Sequence, residues 1–190
     1  VVQQDLRNPD SVVENGTDPA NTDDIGGLLD TQYGIAQLAG PLTPATPLYY
    51  RMTYVFNSGR TMGLLEDETA QQGKSYQYAA IIAHMVDAQL RYFMPQFLNS
   101  SVTAGVTYTS GDDDYTGFTE GNTDGDATMF TPVTSGKKGL VFGLEPGNAT
   151  TTEISFSVRP FESSAQVELK TIQTQLSVYS FFRSAGSGPV

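Results

Sequence analysis

From Ser101 to Thr109 the chain alternates without a break. Val102, Ala104, Val106 and Tyr108 fall on one side, and Ser101, Thr103, Gly105, Thr107 and Thr109 on the other. A period of two belongs to an extended strand, whose successive side chains point to opposite faces. The pattern recurs. Leu48, Tyr50, Met52, Tyr54 and Phe56 oppose Tyr49, Arg51, Thr53, Val55 and Asn57, and Ile154, Phe156 and Val158 oppose Glu153, Ser155, Ser157 and Arg159. Residues 165–183 also alternate but change phase near Lys170 and Thr171, which reads as a bulge or a sharp bend.

One segment reads two ways. In residues 76–94 the Ala, Met, Leu, Gln and Arg content favours a helix, with Tyr78, Ile82, Met85 and Phe93 near one stripe. As a strand, Tyr76, Tyr78, Ala80, Ile82, Val86, Ala88, Leu90 and Tyr92 share an almost wholly apolar face, and the order of turns along the chain requires a strand here.

The links between these runs are of two kinds. Three are short and low in acid: PLTPATP after Gly40, MPQFLNS after Phe93 and PFESS after Arg159. The others are Gly-rich and acidic: the N-terminal residues 1–30, the stretch SGRTMGLLEDETAQQGKS, and SGDDDYTGFTEGNTDGDATMFTPVTSGKKG. These hold seven, three and six acids respectively, sixteen of the 21 in the chain. The two kinds alternate, which predicts an antiparallel meander in one domain, with short turns at one end and long hydrophilic loops at the other.

Composition narrows the function. A net charge of −11 with only 10 Lys and Arg excludes a nucleic-acid face, which needs clustered cations. The absence of Cys removes disulfides and thiolate chemistry. The chain opens on Val1 with no basic and apolar leader, as a processed, exported protein would.

A soluble sandwich also has period-two strands, so the asymmetry of the connections matters more than the alternation. The stretch LRYFMPQFLNSSVTAGVTYTSGDDD, a long loop and then ISFSVRPF resemble the strand and loop pattern of bacterial outer-membrane porin-like barrels, including those of the alginate-export type. The resemblance covers roughly residues 47–185. It implies a β-barrel in the outer membrane, a lipid bilayer around it, and passage of small hydrophilic solutes. Tyr92, Phe93 and Phe97 would then mark one membrane interface, with Tyr49, Tyr50, Phe161, Tyr179, Phe181 and Phe182 as further girdle candidates. The chain departs from the pattern in two ways. Basic residues are few, and about six strands are readable where such barrels have at least eight. More chain, strands from another copy, or a different fold would account for the second departure.

Little in the sequence points to covalent chemistry. His84 is the only histidine, it falls in the apolar phase of its run, and Asp87 would lie on the opposite face of a strand. Gly73-Lys74-Ser75 resembles the end of a phosphate-binding loop, but Glu68 stands where that loop needs Gly. Sequons at Asn15, Asn99 and Asn148 are unremarkable in so Ser- and Thr-rich a chain. In the acidic loop, Asp112, Asp113, Asp114, Asp124 and Asp126 could offer hard oxygen ligands to Ca²⁺, though no EF-hand spacing is present; the other reading is a solvated, self-repelling loop. On the hydrophilic strand faces, Arg51, Asp87, Arg91, Glu153, Arg159 and Lys170 would line a barrel's lumen or form the wet face of a sandwich.

The sequence therefore predicts an all-β antiparallel meander of long strands, an outer-membrane barrel or part of one. Its expected function is a non-enzymatic pore or scaffold for small hydrophilic solutes, with other copies or another chain completing the sheet. The alternative is a secreted β-sandwich subunit that assembles into a surface fibre or shell by edge pairing.

Overall fold

The structure, a computed structural model, describes residues 2–3, 29–66, 68, 74–113, 125–132 and 147–186. Among these residues it is all-β apart from a single helical turn. The strands are β1 (Val2–Gln3), β2 (Leu29–Pro41), β3 (Leu48–Glu66), β4 (Lys74–Met94), β5 (Ser100–Thr109), β6 (Ala149–Val158) and β7 (Thr174–Arg183), with α1 (Val167–Lys170) before β7. They form one sheet in chain order, every neighbouring pair antiparallel. That is the meander the alternation predicts.

The ambiguous segment is strand throughout. β4 pairs with β3 from Leu48↔Tyr92 to Glu66↔Lys74, so the long ladder overrides the helix propensity of its Ala, Met and Leu. Two expectations need correction, and a third is narrowed from a barrel or part of one to an open sheet. The acidic stretch between β3 and β4 is mostly strand, and only residues 67–73 link the two. Residues 165–173 carry α1 and a turn where alternation suggested strand; the phase change near Lys170 is that helical turn. The sheet is also not closed into a barrel: among the described residues β7 pairs only with β6, and β2 only with β1 and β3. Six long strands are fewer than the smallest barrels of this kind use.

The N-terminal segment enters the described structure only through Val2 and Gln3, which pair with Gln32 and Thr31. Residues 4–28 lie outside it.

The two faces of the sheet differ in the opposite sense to a soluble domain. On one, which we call inner, Thr31, Asn57, Thr103, Thr107, Thr109, Thr151, Ser155 and Ser157 are buried. On the other, outer, Leu38, Met52, Tyr54, Phe56, Ile82, Leu90, Val106, Tyr108, Ile154, Leu176, Val178 and Phe182 are exposed, Leu176 by 69%. Hydroxyls are covered while leucines face out.

The apolar core is small and sits on the inner face near the long-loop end. It comprises Tyr33, Val55, Ile81, Ala83, Ala127 and Phe130, with Met85 against it. Ala127 and Phe130 come from a strap, residues 125–132, that folds back from the β5–β6 loop. The reason is an open edge. β5 pairs only with Met85 to Met94, leaving the loop-end half of β4 without a strand neighbour on that side among the described residues. Unpaired strand edges are costly when covered. Ala127 takes the place, its carbonyl accepting from Ile82 N at 3.0 Å and its N–H donating to Ala80 O at 2.7 Å. Phe130 N donates to Ser110 O, Tyr33 OH to Thr131 O at 2.8 Å, and the Tyr33 and Phe130 rings meet edge to face.

Candidate functional site

Four of the six proposed lining residues stand together on the inner face, toward the short-turn end. The register places them: Arg51 lies opposite Gln89, Gln89 opposite Gly105, Gly105 opposite Glu153 and Glu153 opposite Tyr179. This row crosses five strands. Asp87 and Arg91 sit on the same face of β4, in the rows on either side of Gln89.

The charges are held by hydrogen bonds. Arg51 Nη2 lies 3.2 Å from Asp87 Oδ1, and Thr107 Oγ1 donates to Asp87 Oδ2 at 2.8 Å. Arg91 Nε donates to Thr103 Oγ1 at 3.1 Å, and its guanidinium lies over the Phe93 ring. Tyr179 OH donates to Glu153 Oε1 at 3.3 Å. Thr103 and Thr107 are buried beneath these longer side chains. The outcome is two guanidiniums and two carboxylates on a hydroxyl-rich floor, an arrangement that can hydrate and orient polar solutes.

Arg159 and Lys170 do not join them. Arg159 begins the β6–β7 connection, its N–H bonded to Leu98 O, and Lys170 ends α1 in the same connection. Pro160 follows Arg159 and cannot extend a ladder, which is the local reason.

Of the five proposed Ca²⁺ ligands three are among the described residues, and these three are not gathered into one cluster. Asp112 is buried and accepts from Thr128 N at 2.8 Å, so its carboxylate ties the strap to the end of β5. Asp113 and Asp126 are exposed, and Asp114 and Asp124 lie outside the described residues. Among the described residues no three His, Cys, Asp or Glu side chains converge as a metal site would require.

His84 is an outer-face residue, as its phase predicts. It stacks between Tyr54 and Phe56, with ring centroids 6.5 and 5.9 Å away. The girdle candidates divide by strand phase: Tyr50, Tyr92 and Phe182 face outward, Tyr49, Phe93, Tyr179 and Phe181 inward, and Phe97 and Phe161 occupy turns.

Sequence reasoning passed over Gln89, Thr103, Thr107 and Tyr179. Their signal is present in the alternation, which puts each on the charged face, but their partners are set by register. No helix among the described residues is long and apolar enough to cross a membrane, which leaves strand crossings undecided. No family model matches the chain, and no curated protein matches it.

Proposed function

We propose that this chain is part of an outer-membrane β-barrel that acts as a pore or scaffold for small hydrophilic solutes and performs no covalent chemistry. One observation carries the reading: the sheet is covered on its hydroxyl face and bare on its apolar face. Each large apolar side chain left in water forgoes about 1.5–3 kcal/mol that burial returns. The dozen named above are about half exposed on average, so the forgone sum is on the order of 10 kcal/mol. Something apolar must cover that face.

Hydrocarbon fits its dimensions. On β4 the outer residues run Ile82, His84, Val86, Ala88, Leu90, Tyr92, ten residue steps from end to end. At about 3.3 Å per residue and a tilt of about 45° these rise about 23 Å, against an apolar band of about 25 Å in known barrels. The outer rows from Leu48↔Tyr92 to Phe56↔His84 contain no Asp, Glu, Lys or Arg on any described strand. The first charged outer pair, Arg60 with Asp30 at 3.0 Å, lies beyond that band toward the loop end.

Closure needs further strands. β2 runs toward the short turns and β7 toward the long loops, so these two strands are antiparallel to one another, and the β2 edge beyond the two residues paired with β1 and the β7 edge, open among the described residues, accept strands from another copy or another chain. The inner Arg51, Asp87, Arg91 and Glu153 then line the lumen. The open edges also suit the rival reading, a secreted sandwich subunit that polymerises by edge pairing. Planar-bilayer recording on detergent-solubilised protein separates the two. Discrete conductance supports the pore; a folded sample that stays monodisperse or fibrous without amphiphile and passes no current sinks it.

A further inference from the structure

We propose that the short-turn mouth of the inner face carries a binding site for a neutral, hydroxylated saturated ring, a sugar-like solute. The inference rests on the pore reading only in treating this face as a lumen wall. A cleft of about 360 Å³ is lined by Pro47, Tyr49, Phe93, Pro95, Asn99 and Ser100. That volume falls within the range of small-ligand sites, and barrel mouths are among the places where such sites occur.

The walls have a definite chemistry. Tyr49 and Phe93 are inner-face residues of β3 and β4, their ring centroids 5.4 Å apart and their planes at 89°. They form an aromatic corner, and both rings remain partly open to solvent, Tyr49 by 45%. The backbone fixes that corner, because Phe93 N donates to Pro47 O at 2.9 Å.

An unsatisfied hydroxyl marks the site. Ser100 is 1% exposed and its Oγ has no hydrogen-bond partner. A buried polar atom without a partner is rare in folded proteins and calls for an explanation such as a ligand. Ser100 and Asn99 both line the cleft, and Asn99 takes a left-handed backbone conformation, φ 47°. Leu98 shares that conformation at φ 49°, a conformation costly for a residue with a branched side chain. A saturated ring with apolar C–H faces and a rim of hydroxyls answers both features: its face packs on the aromatic corner while its rim engages Ser100 and Asn99. A purely apolar ligand would leave the hydroxyl unmet.

The probe is methyl glucoside, titrated into folded detergent-solubilised protein and followed by saturation-transfer NMR, with cyclohexylmethanol, a saturated ring bearing one hydroxyl, as the arm that lacks the hydroxyl rim. We expect saturable glucoside binding. It weakens about tenfold in Ser100→Ala, as loss of one hydrogen bond implies, and more in Tyr49→Ala, while Ser100→Ala melts as wild type does. Asn99→Gly keeps the turn and also weakens binding. Absence of saturable binding overturns the site, as does binding indifferent to Ser100→Ala and Tyr49→Ala, or cyclohexylmethanol binding as tightly as the glucoside. None of these results bears on conductance, so the pore reading stands or falls separately.

Discussion

The inner face has two halves built on the same strands. Toward the long loops, β4 presents Ala79, Ile81 and Ala83, all buried, and the strap lies over them with Phe130 inserted. Toward the short turns the same strand presents Asp87, Gln89 and Arg91, more open and bonded across the strands to threonines and to Arg51. The strand does not change between them; what covers it does. Along β4 from Ala79 to Arg91, apolar inner residues occur where chain lies on top, and polar ones where water would. A face can thus switch character midway along a strand without breaking its alternation, because the outer residues of β4 from Tyr78 to Tyr92 stay apolar apart from His84. Ile35 illustrates the rule by exception: it is inner by register with Val55, lies on the free-edge strand β2, and is 62% exposed.

The sharpest way to break this contrast is to remove the residue that joins strap and sheet. Phe130 is the largest side chain the strap buries, and Phe130→Ala should cost about 3–5 kcal/mol of strap docking. Hydrogen exchange reads it directly: Ile82 N and Phe130 N lose protection, while the amides of Thr103 and Thr107 keep theirs. Equal loss in both halves would show that the strap is not a separate unit.

How much of this was legible beforehand follows from what each feature depends on. The alternation of Val102 to Tyr108 is local, so the strand and its faces could be read from the residues alone. So could the strand nature of residues 76–94, once the turns around it were read. The strap could not. Its Ala127 and Phe130 sit in a segment dominated by Gly, Asp and Thr, and their partners Tyr33, Val55 and Ile81 come from three distant strands. Two consecutive large apolar residues, Met129 and Phe130, in so polar a loop were the available hint. The tie of Asp112 to the strap was hidden for a related reason: one of three adjacent aspartates, it suggests a cation, while the Thr128 N–H from which it accepts lies sixteen residues further on. Arg159 and Lys170 were carried one residue or more past the end of a ladder, where Pro160 and α1 had already taken over.

A smaller effect sharpens the contrast at its hinge. Asp112 accepts from Thr128 N while buried, a charged hydrogen bond of about 1.5–3 kcal/mol. Asp112→Ala should loosen the strap's first half, read as faster proteolysis near Thr128, and leave the Phe130 anchor in place. Addition of Ca²⁺ to the wild type should not reproduce the tightening that Asp112 gives, because the carboxylate is already bonded to Thr128.

The smallest effect on stability belongs to the open half, and there the functional readout outweighs it. Arg51 is 47% exposed in its side chain, so its pair with Asp87 is largely screened, worth about 0.2–1 kcal/mol. Arg51→Gln should therefore leave unfolding almost unchanged, while Thr107 continues to hold Asp87. Its effect is on the field. Arg51 and Arg91 face Asp87 and Glu153 on one wall, and taking away one guanidinium leaves the carboxylates in excess. Reversal potentials in a salt gradient should shift toward cations in Arg51→Gln and toward anions in Asp87→Asn, with the two shifts of opposite sign. The same pair of substitutions tests the division of the inner face, since neither should alter hydrogen exchange under the strap. A shift of the same sign in both variants, or none in either, would mean that solutes pass without meeting this row of charges.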